Sequence, residues 1–380
     1  MVESKSMDIH SSIGLKRLNL QKVYHYLYNA RSSSKLDISN GTGLSIPTIA
    51  SNIIELEKRG LIREGHEFKS TGGRRAQSYS ICETARIAIG VEILKEEVKI
   101  VAIDLYGNII DDSRKEIPFV NNTSYFGEFG RFVNEFIERI AFPKGSILGI
   151  GVALQGLVSE DGQTVVYSEI LKADGLKLKT FRKLFDFECR MFHDTEIAAL
   201  AEIWNCPETQ NAVYIALNRY FGGALILNGE VRRTQKLSSA TIEHMRISLD
   251  GPLCYCGKRG CAESFCGANH LTAISGMPAE EFFEKLHAGD TNCVSIWQTF
   301  TRNLAVVINN IHMVVNCDVI LGGYLNLFMS DDDVRFIEET VRDEHFNNGF
   351  SCVIRRSRLG DKAPAMGAAL DFIDEFICDL

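Results

Sequence analysis

The stretch His244-Met-Arg-Ile-Ser-Leu-Asp250-Gly-Pro-Leu-Cys254-Tyr-Cys256-Gly-Lys-Arg-Gly260-Cys261-Ala-Glu263 sets one imidazole and three thiols in a single short loop. His244, Cys254, Cys256 and Cys261 together make a complete tetrahedral Zn²⁺ shell. Gly257 and Gly260 allow turns tight enough for the thiolates to converge. A shell filled by protein leaves no position for water, so the spacing predicts one structural zinc per chain, not a catalytic one. The plainer alternative is a buried histidine among scattered reduced thiols. Residue types and spacing together favour the metal.

Around this loop the chain is ordinary in bulk. Its 380 residues predict two or three domains, and 45% hydrophobic with 24% charged residues gives a globular protein with ample core. No apolar run approaches the ~20 residues of a membrane span, and the polar N-terminus lacks a signal core. Eleven cysteines, an odd number with four between 254 and 266, fit a reducing cytoplasm better than disulfides. The net charge of −8 hides an asymmetry. Residues 1–80 hold 12 Lys and Arg against 7 Asp and Glu, while the remainder holds 29 against 42. A basic head on an acidic body implies that only the head meets a polyanion.

Residues 1–80 read as a winged helix-turn-helix. Leu15, Leu18, Leu20, Val23 and Leu27 recur at helical spacing, and a second short helix covers Ser34 to Thr42. Ser45 is the natural cap of a third helix, Pro47 to Arg59, stopped by Gly60. Ile49, Ile53 and Leu56 form its apolar face, leaving Thr48, Ala50, Ser51 and Asn52 outward for base edges in a major groove. Two strands follow, Leu61 onward and Phe68 to Tyr79, with the tip Gly72-Gly73-Arg74-Arg75 between them. Arg74 and Arg75 suit a narrow minor groove. A protein-interaction three-helix module is the alternative. The predicted DNA contacts are Ser45, Thr48, Ser51, Asn52, Arg74 and Arg75.

After Ile81 strands dominate: 86–91, 98–103, 108–110 and, after a helix over 124–140, 147–153. A helix over 196–204 follows. The order then repeats with strands 211–217, 223–228 and near 230–234, the thiol loop, a long helix near 292–315, strand 319–321 and a last helix near 363–376. Periodicity alone gives α/β for residues 81–380. Met313 and its apolar neighbours read as core or subunit interface. Leu321-Gly322-Gly323 and Gly367-Ala368-Ala369 read as close-packing turns.

The Cys254–Glu263 half of the thiol loop matches the Cys-x-Cys-Gly-x-x-Gly-Cys-x-Glu signature of the ROK family (repressors, open reading frames and sugar kinases), which the chain resembles from about Leu15 onward. The family's preceding Gly-Glu-x-Gly-His reads here Ala240-Thr241-Ile242-Glu243-His244, with only the histidine kept. The resemblance implies a duplicated ribonuclease-H-like (actin-like ATPase) body of two lobes with a ligand cleft between them. Its repressors carry a winged helix-turn-helix head, which most of its sugar kinases lack.

Two phosphate loops depart from the kinase pattern. In place of Asp-x-Gly-x-Thr stands Gly90-Val91-Glu92-Ile93-Leu94-Lys95-Glu96-Glu97, and in place of Gly-Thr-Gly-x-Gly-Gly stands Leu217-Asn218-Arg219-Tyr220-Phe221-Gly222-Gly223. Backbone N–H groups need glycine to approach phosphate closely, and Glu96 and Glu97 would repel an anion. ATP binding is therefore expected to be lost and the chain not to be an enzyme. The sugar side is better kept. Phe192-His193-Asp194-Thr195 matches the family's Asn-Asp-Ala-Asn segment, with Asp194 at the place of the general base. His244 and Glu263 match family sugar contacts. Glu243 either restores a carboxylate to the cleft or salt-bridges on the surface, and Asp194 either meets sugar or caps the next helix.

These readings converge on a sugar-responsive repressor of carbohydrate genes. The expected partners are operator DNA and a small carbohydrate effector, with no membrane, as a cytoplasmic homodimer or dimer of dimers. The expected ligand contacts are Asp194, Glu243, His244 and Glu263. The rival readings are an ATP-dependent sugar kinase with a DNA-binding head, and a repressor whose effector is a transport protein.

Overall fold

The computed structural model describes residues 12–65, 77–232, 241–347 and 352–380. The expected wing tip, Gly72 to Arg75, lies outside the described residues, as does Ala240.

Helices α1 (Ser12–Ala30), α2 (Lys35–Thr42) and α3 (Ile46–Lys58) form the head with strands β1 (Ser32–Ser34), β2 (Ile62–Glu64) and β3 (Ser78–Ile81). The strands pair antiparallel in the order β1-β3-β2. β1 is three serines without apolar alternation, so nothing local announces it. Helix starts are local and legible. α2 opens on a capping box between Ser34 and Asp37. α3 opens at Ser45, whose Oγ accepts the Thr48 N–H, with Pro47 in the first turn. Ile49, Ile53 and Leu56 are fully buried in one core with Leu20, Val23 and Leu27 of α1.

The first lobe contains β4 (Ile87–Ile93), β5 (Glu97–Ile103), β6 (Ile109–Glu116), α4 (Thr123–Ile140), β7 (Ile147–Leu154), a small hairpin of β8 (Leu157–Val158) and β9 (Val165–Tyr167), α5 (Leu178–Arg182) and β10 (Cys189–His193). Its sheet runs β10-β7-β4-β5-β6, with β4, β5 and β6 antiparallel and β7 and β10 parallel. After α6 (Asp194–Asn205) the second lobe repeats the plan with β11 (Ala212–Leu217), β12 (Phe221–Leu227) and β13 (Glu230–Val231). It continues through α7 (Glu263–Cys266), α8 (Ala268–Ser275), α9 (Ala279–His287), α10 (Thr291–His312), β14 (Asp318–Gly322), α11 (Asp331–Asp343) and β15 (Ile354–Arg356). The order β13-β12-β11-β14-β15 again joins three antiparallel strands to two parallel ones. Identical strand order without a sequence repeat makes the body a duplicated ribonuclease-H-like fold.

The last helix, α12 (Ala363–Asp379), ties the parts together. It lies on β4 and β7 and against α6, which packs on β12. A Cβ at Gly367 would sit 1.9 Å from the Ile197 carbonyl oxygen, so glycine alone permits this approach of α12 to α6. At its far end α12 meets the head. Leu20, Val23, Tyr24 and Leu27 share one buried cluster with Ile103 and Leu105 of the first lobe and with Leu370, Ile373 and Ile377 of α12. The Gln21 amide donates to the Cys378 carbonyl at 3.0 Å, and the Tyr28 hydroxyl to the Leu105 carbonyl at 2.7 Å. The Arg31 guanidinium lies 3.5 Å over the Tyr106 ring.

Three expectations are corrected. The long helix stops at His312, where the Val314 and Val315 N–H groups turn back onto the Ile311 carbonyl to lead the chain into β14. Met313 and Val314 are consequently 54% and 84% exposed, so Met313 is not core. The helix expected from 195 or 196 starts at Asp194, with His193 as its cap residue. Of the strand expected near 230–234, Glu230–Val231 is seen, and residues 233 and 234 lie outside the described residues. No helix among the described residues is long and apolar enough to cross a membrane.

Candidate functional site

The thiol loop is held by its own backbone before any ion is considered. Cys254 N–H donates to the Lys258 carbonyl at 2.8 Å, Ile247 N–H to Gly260 at 2.9 Å and Ala262 N–H to Met245 at 2.8 Å. Gly260 has φ +75°, and a Cβ there would lie 1.8 Å from the Ser248 carbonyl oxygen. This close crossing returns Cys261 toward the turn that carries Cys254 and Cys256. The ligand atoms of His244, Cys254, Cys256 and Cys261 all lie within 4.8 Å of one another. Cys254 Sγ is 3.7 Å from His244 Nδ1, and Cys256 Sγ is 3.8 Å from Cys261 Sγ. Zn–S bonds of ~2.3 Å in a tetrahedron demand edges of about 3.8 Å. The four residues therefore fit a tetrahedral zinc. With Nδ1 turned to the thiols, His244 Nε2 is left 4.0 Å from the Glu243 carboxylate.

Beside this loop, between the lobes, opens a cavity of about 520 Å³. The first turn of α6 brings His193, Asp194 and Thr195 to it, and the short 3₁₀ turn Ile242–His244 brings Glu243 and His244. Asp194 and Glu243 thus face one cavity although some fifty residues separate them. Asp194 is buried, and its Oδ1 accepts the Thr195 N–H at 2.8 Å. Burial raises its pKa from 3.8 to about 7 despite that bond. Burial, with Asp194 adding like charge, likewise pushes Glu243 up to about 7. Glu243, half-buried, is therefore a carboxylate of the cleft wall.

Glu263 is placed differently. It is buried, but its carboxylate accepts the backbone N–H of Phe221 and is not part of the cavity wall. Phe221 itself lines the cavity. Glu263 thus acts from behind, fixing the start of β12, and burial pushes its pKa up to about 8. The aromatic lining, Tyr167, Tyr220 and Tyr255, was not singled out from sequence, although Tyr255 stands between two of the thiols. His244 and Tyr255 rings meet edge to face at 5.2 Å, so the thiol loop also sets one aromatic wall.

The two altered phosphate loops border another cavity of about 770 Å³, which shares Gln155, Asn218 and Tyr220 with the cleft wall. The β4–β5 turn closes tightly, with Leu94 N–H donating to the Glu97 carbonyl at 2.9 Å. Within it Lys99, 12% exposed, lies 3.7 Å from the Glu92 carboxylate and 2.8 Å from that of Asp361. Burial raises Glu92 to about 7 while Lys99 pulls it down. In the second loop the Asn218 and Arg219 carbonyls accept the N–H groups of Ala268 and Asn269, which open α8. Those amides, the ones a helix N-terminus would offer to phosphate, are already taken.

In the head, Ser45 and Ser51 are exposed, while Thr48 and Asn52 are half-buried. Ser45 and Thr48 hydroxyls bond each other at 2.8 Å, and Asn52 Nδ2 donates back to the Thr48 carbonyl at 2.8 Å.

A model of the ROK family matches residues 88–375. The xylose repressor of Bacillus spizizenii is 23% identical over 380 residues, covering 98% of this chain and 99% of its own length. A crystal structure of a ROK family transcriptional regulator, homologue of the Escherichia coli MLC protein, superposes with a TM-score of 0.74 at 20% identity over 96% of this chain and 97% of its own. A ROK family glucokinase from Streptomyces griseus, in complex with glucose and AMPPNP, superposes with a TM-score of 0.65 at 18% identity over 74% of this chain and 98% of its own. The regulator thus spans a part of this chain that the kinase lacks.

Proposed function

The chain belongs to the ROK family, and on that premise we propose that it is a sugar-responsive transcriptional repressor. The head binds operator DNA, and a carbohydrate in the cleft changes its affinity for that DNA. The observation that carries this reading is the buried apolar joint between head and body. α12 begins beside Lys99 and Asp361 and ends under α1, so a shift of the lobes moves the platform on which the head rests. A rigid element with two placements is the physical requirement for coupling two sites.

In the cleft, Asp194 and Glu243 accept hydrogen bonds from sugar hydroxyls, and His244 Nε2 donates one. Glu263 positions Phe221 against the ring. One zinc per chain on His244, Cys254, Cys256 and Cys261 is structural and would supply a fixed cross-link; these four residues hold Glu243 and Tyr255 in place. On DNA, Ser45, Thr48, Ser51 and Asn52 meet the major groove, and Arg74 and Arg75 the minor groove. Asn52 keeps its Oδ1 for a base, its amide N–H being bonded to Thr48. A symmetric dimer on a palindromic operator matches one head per chain.

Kinase activity is absent in this reading. On the nucleotide side Lys99 is ion-paired with Glu92 and Asp361, and the α8 amides are already bonded to loop carbonyls, so neither is offered to a phosphate. Gel-shift titration of the full chain on selected duplexes, with and without a sugar panel, tests the proposal. Salt-dependent binding that one sugar shifts is expected. ATP-dependent phosphorylation of any sugar, abolished in Asp194→Asn, would replace the repressor reading by the kinase one.

A further inference from the structure

We propose that the effector is larger than a monosaccharide: a disaccharide or a glycoside whose second unit lies in a side cavity off the cleft. This rests on the reading of the cleft as a sugar site and adds the class of sugar. A hexopyranose of about 150 Å³ van der Waals volume needs roughly 200 Å³ at protein packing density. The cleft offers about 520 Å³. A second cavity of about 430 Å³ adjoins it and shares Glu169, Ile170, Tyr220 and Tyr255 with its wall. A molecule held at Asp194 and Glu243 can therefore continue past these four residues without leaving the protein surface.

The chemistry of the side cavity fits an uncharged glycan unit. Its apolar wall is Phe119, Val120 and Leu171, and its polar groups include Asn121, Lys95 and Lys172. Val120 is 53% exposed, an apolar surface left facing the cavity mouth. Sugar rings present one apolar face and a hydroxyl rim, and such mixed walls of aromatic and aliphatic groups with a few polar ones recur in ligand pockets. The Tyr220 and Tyr255 rings meet edge to face at 5.8 Å on the boundary between the two cavities, where a glycosidic link would pass. An anionic extension fits worse. Lys172 is ion-paired with Glu169, leaving Lys95 as the cation for a phosphate dianion among the residues of this wall. The other adjoining space, on the nucleotide side, mixes Glu96, Glu97, Glu116, Glu280 and Asp361 with Lys95, Lys99, Arg114 and Arg219, a densely charged wall unlike the apolar one of the side cavity.

The test is calorimetric titration of the full-length, zinc-supplemented protein. The probes are glucose and xylose, then cellobiose and xylobiose, then phenyl β-glucoside and phenyl β-xyloside. At least one two-unit ligand is expected to bind ten-fold or more tightly than its monosaccharide. Val120→Trp, at an exposed position outside the cleft, should erase that advantage while leaving monosaccharide affinity within about two-fold. Asn121→Trp, also exposed, serves as the independent second variant. Monosaccharides binding as tightly as every two-unit ligand would overturn the inference and leave the sugar reading standing. Equal loss for both ligand sizes in both variants would overturn it too. No binding of any carbohydrate by protein that binds operator DNA would instead overturn the sugar reading itself.

Discussion

Asp194→Asn should have two effects of opposite sign. The carboxylate is buried and its folded-state pKa, about 7, lies above its ordinary 3.8. A raised carboxyl pKa means that native stability is full below pH 3.8 and is lost as pH rises through 7, because the unfolded chain releases its proton first. Three units at ~1.4 kcal/mol each set an upper bound of about 4 kcal/mol on the cost of the charged form at pH 8. Asparagine carries no such charge, yet its Oδ1 still accepts the Thr195 N–H that Asp194 accepts at 2.8 Å. The variant should therefore melt several degrees higher than the parent at pH 8 and at the same temperature near pH 3.8. Its stability should also vary less with pH between those values. Sugar binding should move the other way. Replacing charge-assisted hydrogen bonds to hydroxyls by neutral ones costs about 1–2 kcal/mol, a roughly 5–30-fold weaker Kd at pH 8. Melting curves across the pH range and calorimetric titration measure both. A lower melting temperature at pH 8 would refute the burial argument, and unchanged sugar affinity would remove Asp194 from the ligand site.

Other expectations are as concrete. Cys256→Ser should lose the metal, read as zinc per chain by elemental analysis, and weaken the sugar response while far-ultraviolet dichroism of the α/β body stays near parental. Arg74→Ala with Arg75→Ala should weaken operator binding and reduce the slope of log K against log salt by about 2, two phosphate-neutralising charges fewer. Lys99→Met removes the ammonium from between Glu92 and Asp361 and should destabilise by about 3–5 kcal/mol at pH 8. The loss should shrink at pH 6, where Glu92, raised to about 7, binds a proton instead.

The joint between head and body is apolar and continuous. Head and body share a buried cluster in which Tyr24 and Leu27 touch the same apolar set as Leu370 and Ile377. Such a joint resists independent tumbling of the head, which is what the proposed sugar response requires. The Lys99–Asp361 ion pair, on the nucleotide side, holds the start of the helix that makes this joint.

What the sequence determined by itself was whatever depends on neighbours along the chain. The zinc-type ligand set is legible because three of its four members lie within eight residues and the fourth a few turns upstream. The helix starts at Ser34 and Ser45 are legible because a cap is a bond across three residues. The α/β alternation follows from short apolar runs. The tertiary structure decided what depends on packing between distant segments. Glu243 faces the cleft, and Glu263, the last residue of the signature, stands behind Phe221, whose backbone N–H its carboxylate accepts. Met313 is exposed because the chain must turn back there to reach β14, a constraint imposed by the sheet and not by the helix. The identical order of the two sheets has no local signature, since strand neighbours are chosen by hydrogen bonding across the fold. The side cavity exists only where Lys95, residues 119–121, 169–172, Tyr220 and Tyr255 meet, and no spacing in the sequence brings those five places together.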